Sequence, residues 1–176
     1  MIVLGISPGL RSLAYCVLVF RDDSPVAEQI DADVNRGGRG KPKNPFELTR
    51  FARVHALILD IVLDRNPPAI VVIGPSEPEP PEYLDAVRAM VFSLAVALRI
   101  PVVDLAEPKA LNSALGVATD RALKIAVSDR VKGRVQTRDR RQWLATAAAV
   151  AGAEHQRRLR SGSISDYAPQ QSAGAA

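Results

Sequence analysis

The chain has 176 residues, the size of one ordinary domain, and its 47% apolar and 24% charged content excludes a wholly disordered chain. A single cysteine, Cys16, excludes an internal disulfide framework and a cysteine-based zinc site, and two histidines, His55 and His155, are too few for a His-rich metal site. The net charge of +4 is modest but unevenly spread; with no leader-like start and no run of roughly eighteen apolar residues, a cytoplasmic protein without a membrane span is expected.

In chain order, Ile2 to Ile6 is a short apolar run ending at Ser-Pro-Gly, a turn signal. Leu13 to Phe20 and Val26 to Val34 read as two further strands, giving an antiparallel meander, and Asn35 to Pro45 reads as a long mobile connection. Leu48, Phe51, Ala52, His55, Ile58, Leu59 and Val62 recur at helical spacing, so Phe46 to Arg65 is an amphipathic helix with His55 on its packed stripe, stopped by Asn66-Pro-Pro. Ala69 to Ile73 has the continuous apolar character of a strand covered on both faces.

Tyr83 to Arg99 reads as a helix apolar nearly all round, which requires burial on two sides. The monomer core supplies one side, and a second copy is expected to supply the other through Val87, Met90, Val91 and Phe92. Ile100 to Leu105 is a fifth strand, and Pro108 to Leu115 a short helix ending at Gly116, a C-cap. Thr119 caps a helix running to about Val131, and Lys132 to Arg138 is a basic loop. Asp139 to Gln156 is an alanine-rich helix suited to close approach on a sheet; Cys16 reads as an inert core residue, and His155 as solvent-facing. The order β-β-β-α-β-α-β-α-α-α predicts an α/β fold, a mixed sheet of about five strands with helices on both faces.

This order, together with Leu4-Gly-Ile-Ser-Pro-Gly-Leu-Arg-Ser-Leu-Ala-Tyr15, resembles the RuvC-type Holliday-junction resolvases of the RNase H-like superfamily. The resemblance continues through Pro68-Ala-Ile-Val-Val-Ile-Gly74, Ile100-Pro-Val-Val-Asp-Leu-Ala106, Lys109-Ala-Leu-Asn-Ser-Ala-Leu-Gly-Val117 and Asp139-Arg-Arg-Gln-Trp-Leu-Ala-Thr-Ala147. It implies an RNase H-like domain over residues 1–156, followed by a tail over 157–176 that is basic and then flexible.

The resemblance also implies metal-assisted phosphodiester hydrolysis, in which two Mg²⁺ ions clamp the attacking and leaving oxygens. Mg²⁺ is a hard ion that wants oxygen ligands, so such enzymes gather carboxylates from separate strands and one helix. The four positions fall here on Ser7, Gly74, Asp139 and Gln142, and Asp139 alone is acidic. One carboxylate leaves two divalent ions far from neutralised, so no cofactor is expected; Mg²⁺ or Mn²⁺ would enter solely through a rearranged site. Glu77 and Asp104 are the neighbouring acids such a site would use. Ser7 lacks the Gly-x-Ser-x-Gly elbow of a serine hydrolase.

The aromatic wedge that the resemblance implies is replaced by Glu77, inside the acidic stretch Glu77 to Asp85. Basic residues for phosphate contact are Arg11, Lys109, Arg121, Lys124, Lys132, Arg134, Arg138, Arg140 and Arg141, with four more cations between Arg36 and Lys43. Arg138, Arg140 and Arg141 flank Asp139, where fixed guanidinium groups are expected to take the place of metal cations, and Trp143 is expected either to fill space over the missing acids or to pack against the second helix. The expected function is a catalytically inactive resolvase relative, a homodimer that binds branched or four-way-junction DNA and works with repair or recombination proteins. The competing expectations are a metal-dependent junction endonuclease with rearranged acids, and a protein-interaction module that binds no DNA.

Overall fold

A computed structural model of the chain describes residues 1–9, 12–21, 26–36, 48–64, 69–75, 81–132 and 140–161. The elements are β1 (Ile2–Gly9), β2 (Ser12–Phe20), β3 (Ala27–Arg36), α1 (Leu48–Asp64), β4 (Ile70–Ile73), α2 (Pro81–Ala97), β5 (Val102–Asp104), α3 (Pro108–Leu115), α4 (Asp120–Ser128) and α5 (Arg140–Arg160). They build one five-stranded sheet in the order β3-β2-β1-β4-β5. β1, β2 and β3 pair antiparallel, whereas β1, β4 and β5 run parallel, so those three strands end at one edge of the sheet.

Side-chain alternation divides the core into two layers. Val3, Ala14, Cys16, Leu18, Ile70 and Val72 pack with Leu111, Leu115, Leu123, Val127 and the alanines of α5. Leu4, Ile6, Leu13, Tyr15, Val17, Val71 and Ile73 pack with Ile58 and Val62 of α1 and with Val87, Val91 and Ala95 of α2. β4 is buried at every position, as a strand covered on both faces must be.

α5 lies close to the sheet because small residues meet where the two surfaces touch, Gly5 and Gly74 on the strands and Gly152 with the alanines on the helix. A Cβ on Gly5 would stand 2.0 Å from the Ala145 carbonyl oxygen, and one on Gly152 would stand 2.2 Å from Cγ2 of Val72. Residues Ala145 to Ala153 of this helix are all buried. At α3 the cap is Gly116, at φ 67°, and at α4 the Thr119 hydroxyl accepts from the Ala122 amide at 3.2 Å.

Several boundaries differ from the sequence reading. β1 continues through Ser-Pro-Gly: beyond Ile6 it pairs with β2 alone, so Pro8, which has no N–H to donate, faces no second strand. β3 likewise runs on to Arg36. α4 stops at Ser128, because Val131 bridges to Ala27 beside β3. α5 runs four residues past Gln156, carried by Arg157 and its neighbours, whose positive charge complements the carbonyl end of the helix. His55 is exposed rather than packed, while His155 faces solvent and Cys16 is buried in the sheet.

The expected partner face of α2 also needs correction. Val87 and Val91 are 1% and 2% exposed inside their own chain's core, so neither side chain is available to a second copy. Met90 is half-buried against the same layer, and the outward side carries Phe92 together with Val96. Residues 37–47, 133–139 and 162–176, which include the basic connection, the basic loop and the tail, lie outside the described residues, as do Phe46 and Arg65.

Candidate functional site

The parallel strands bring the ends of β1 and β4 side by side: Ile6 pairs with Ile73, and the Gly74 amide donates to the Ile6 carbonyl at 2.7 Å. Ser7 and Gly74 follow directly, and alternation turns both toward the layer occupied by α5. Gln142 lies half-buried in the first turn of α5, so three of the four positions marked by the sequence do converge on one edge of the sheet. The fourth, Asp139, lies outside the described residues, as do Arg11, Glu77, Arg134 and Arg138.

What converges is a packed contact. Ser7 is fully buried, and its hydroxyl donates to the Pro75 carbonyl at 2.5 Å, tying β1 to the segment after β4. At Gly74 a Cβ would meet the Ala148 Cβ at 2.7 Å, the Leu144 carbonyl oxygen at 3.2 Å and the Ile6 carbonyl oxygen at 3.3 Å. Real Cβ atoms do not approach that closely, and a methyl fixed to a helix backbone cannot swing aside. α5 thus fills the space that any side chain at position 74 would need. Trp143 is half-buried against the same layer, and the Thr146 hydroxyl donates back to the Gln142 carbonyl at 2.9 Å.

Asp104, one of the two acids offered as substitutes, is committed elsewhere. It pairs with Ile73 at the end of β5, and alternation points it to the α2 face, away from Ser7 and Gly74. There Arg88 Nε donates to its Oδ2 at 2.9 Å and Arg88 Nη2 donates to the same oxygen, while the Ala106 amide donates to Oδ1 at 3.0 Å. The hydrogen bonds that Arg88 donates to Asp104 hold its guanidinium above its ordinary pKa, and Asp85 adds to the effect at 3.3 Å. Both oxygens of Asp104 are therefore occupied on the wrong side of the sheet. Among the described residues no three His, Cys, Asp or Glu side chains cluster. A serine whose hydroxyl is already donated, a glycine with no room for a side chain and a glutamine do not fit a pair of Mg²⁺ ions.

The described basic residues separate into three groups. Lys109 stands exposed in the first turn of α3, just after β5, and Arg140 and Arg141 open α5, so all three flank the Ser7–Gly74 edge. Arg121 and Lys124 are exposed three residues apart on the outer face of α4, whose inner face is Leu123 and Val127. Lys132 belongs to the opposite edge: its amide donates to the Ala27 carbonyl at 2.8 Å, and Ala27 pairs with Phe20, whose amide reaches Met1 at the start of the sheet. Sequence reasoning missed Arg88, because nothing local marks a helix arginine as the partner of an aspartate sixteen residues later.

No protein-family model matches the chain, and no curated protein matches it. Among solved structures it is similar to RuvC from Thermus thermophilus, with a TM-score of 0.72, 21% identity, and coverage of 89% of this chain and 96% of that one. The same RuvC in complex with a Holliday junction substrate matches with a TM-score of 0.72 over 95% of its length. The yeast mitochondrial Holliday junction resolvase matches with a TM-score of 0.60 and 14% identity, over 90% of this chain and 80% of that one. The chain therefore has the RNase H-like fold, in the form found in RuvC-type resolvases.

Proposed function

We propose that the protein binds branched DNA, four-way junctions in particular, and does not cut it. The observation that carries this reading is the closure of position 74: α5 rests where a second metal-binding carboxylate would stand, 2.7 Å from any Cβ placed there. The fold is one whose solved examples include a RuvC bound to a Holliday junction substrate. The exposed cations Lys109, Arg121, Lys124 and Arg140 leave that side of the molecule able to hold phosphate.

The same proposal makes the protein a cytoplasmic homodimer that joins through the outer side of α2, where Phe92 and Val96 are 39% and 75% exposed. Repair or recombination proteins are the further partners, and residues 1–156 are the DNA-binding domain, with Arg157 to Arg160 added by the helix. Among the described residues no helix is long and apolar enough to cross a membrane.

The test is a titration of a labelled four-way junction and a matched linear duplex at two salt concentrations. The reading expects tighter binding to the junction at both, and each phosphate contact adds about 0.9 to the salt slope on duplex. Equal affinity for the two DNAs overturns the junction assignment, and no binding at low salt overturns the DNA-binding reading altogether.

A further inference from the structure

Five cations gather at the edge where β1, β4 and β5 begin, opposite Ser7 and Gly74: Arg130, Lys132, Arg157, Arg158 and Arg160. Three separate pieces of chain meet there. Arg130 and Lys132 flank the bridge from Val131 to Ala27, and Arg130 Nε reaches Glu154 of α5 at 3.0 Å. Arg157 shares that carboxylate at 3.4 Å and lies over the Phe20 ring at 4.9 Å. Among the described residues of these segments the opposing acids are Glu154, already divided between two guanidiniums, and Asp129; Arg21 and Glu28 close on each other at 2.7 Å and add no net charge. Lys132, Arg158 and Arg160 are exposed, and no ion pair among the described residues involves them.

We infer that this cluster is a second phosphate contact, for a duplex arm of a branched DNA whose branch point lies at the Ser7–Gly74 edge; the inference rests on the DNA-binding reading above. α5 sets the distance between the two contacts. Arg140 opens the helix at the branch-point edge and Arg158 stands eighteen positions later at the other, with the buried run Ala145 to Ala153 between them. At about 1.5 Å per residue that is about 27 Å, or roughly eight base pairs of duplex at about 3.4 Å each.

The helix dipole explains a cation in the last turn of α5, yet it does not explain Lys132, which stands on another segment and caps nothing there. A lipid surface fits less well, because it would require an apolar stripe, and Leu159 is the one large exposed apolar residue in that turn.

The test uses the full chain and its Lys132→Gln, Arg158→Gln, Arg160→Gln variant, titrated across several salt concentrations on four-way junctions with short arms of about six and long arms of about twenty base pairs. The wild type is expected to show a steeper salt slope on long arms than on short ones, by roughly 2–3, at about 0.9 per contact. The variant is expected to lose that difference while its circular dichroism and Tm stay unchanged, and Lys132→Arg is expected to retain it. Equal slopes for wild type and variant on long arms overturn the second contact and leave the first reading standing. Absence of wild-type binding at low salt overturns both. Loss of binding to phosphatidylserine vesicles in the variant, with its DNA slopes unchanged, reassigns the cluster to lipid.

Discussion

At position 74 the absence of one carbon atom decides what the site can be. Gly74→Glu forces a side chain against Ala148 and the α5 backbone, and overpacking of this kind costs roughly 1–3 kcal/mol, which lowers Tm by roughly 2–12 °C in a chain of this size. A thermal melt checks it, and an unchanged Tm would show that α5 moves aside freely. Ser7→Ala leaves the buried Pro75 carbonyl without its donor and is expected to destabilise by about 1–3 kcal/mol in denaturant titration. The restored-acid variant Ser7→Asp, Gly74→Glu, Gln142→Asp is expected to gain no Mg²⁺-dependent nicking, because it puts a carboxylate beside the Pro75 carbonyl and another into helix backbone. That Ser7, Gly74 and Gln142 carry no acid, where the resemblance implies one, was legible in the sequence. The closing of the space was not, since it depends on how far α5 descends onto the sheet.

The elements themselves were largely readable, because hydrophobic periodicity and caps are local. Gly116 and Thr119 end and begin their helices as their residue types require, and the alanines of α5 marked a helix that docks closely. Reading failed where a neighbour overrules local chemistry. Ser-Pro-Gly is a turn signal by composition, yet β2 pairs with it through Gly9. α2 looked apolar on every side, but its two sides differ in fate: Val87 and Val91 enter the core, and Phe92 and Val96 do not. The expected consequence is that Phe92→Arg with Val96→Arg leaves the fold intact and yields a monomer by light scattering, whereas an unaltered dimer removes α2 as the interface. Val87→Arg is expected to unfold the chain instead, since it buries an unpaired cation.

Across the described residues, the chain has the sheet and helix arrangement of the RuvC-type fold, and the edge where Ser7 and Gly74 meet α5 is closely packed. The sheet still brings the ends of β1 and β4 together beside α5, which is the arrangement that would gather acids from separate elements. Here that meeting point holds a hydroxyl-to-carbonyl bond and a glycine-to-alanine contact, and the nearby acid Asp104 points to the other face, where Arg88 holds it. Exposed cations stand at both ends of α5, and the proposed function assigns them contact with phosphate without its cleavage. The most direct measurement is incubation of the wild-type protein with an end-labelled four-way junction and Mg²⁺ or Mn²⁺, followed by native and denaturing gels of the same samples. The account predicts a shifted complex whose strands remain full length. Symmetric, metal-dependent nicks at the branch point would contradict it, because a working metal site would then exist despite the packing at Ser7 and Gly74.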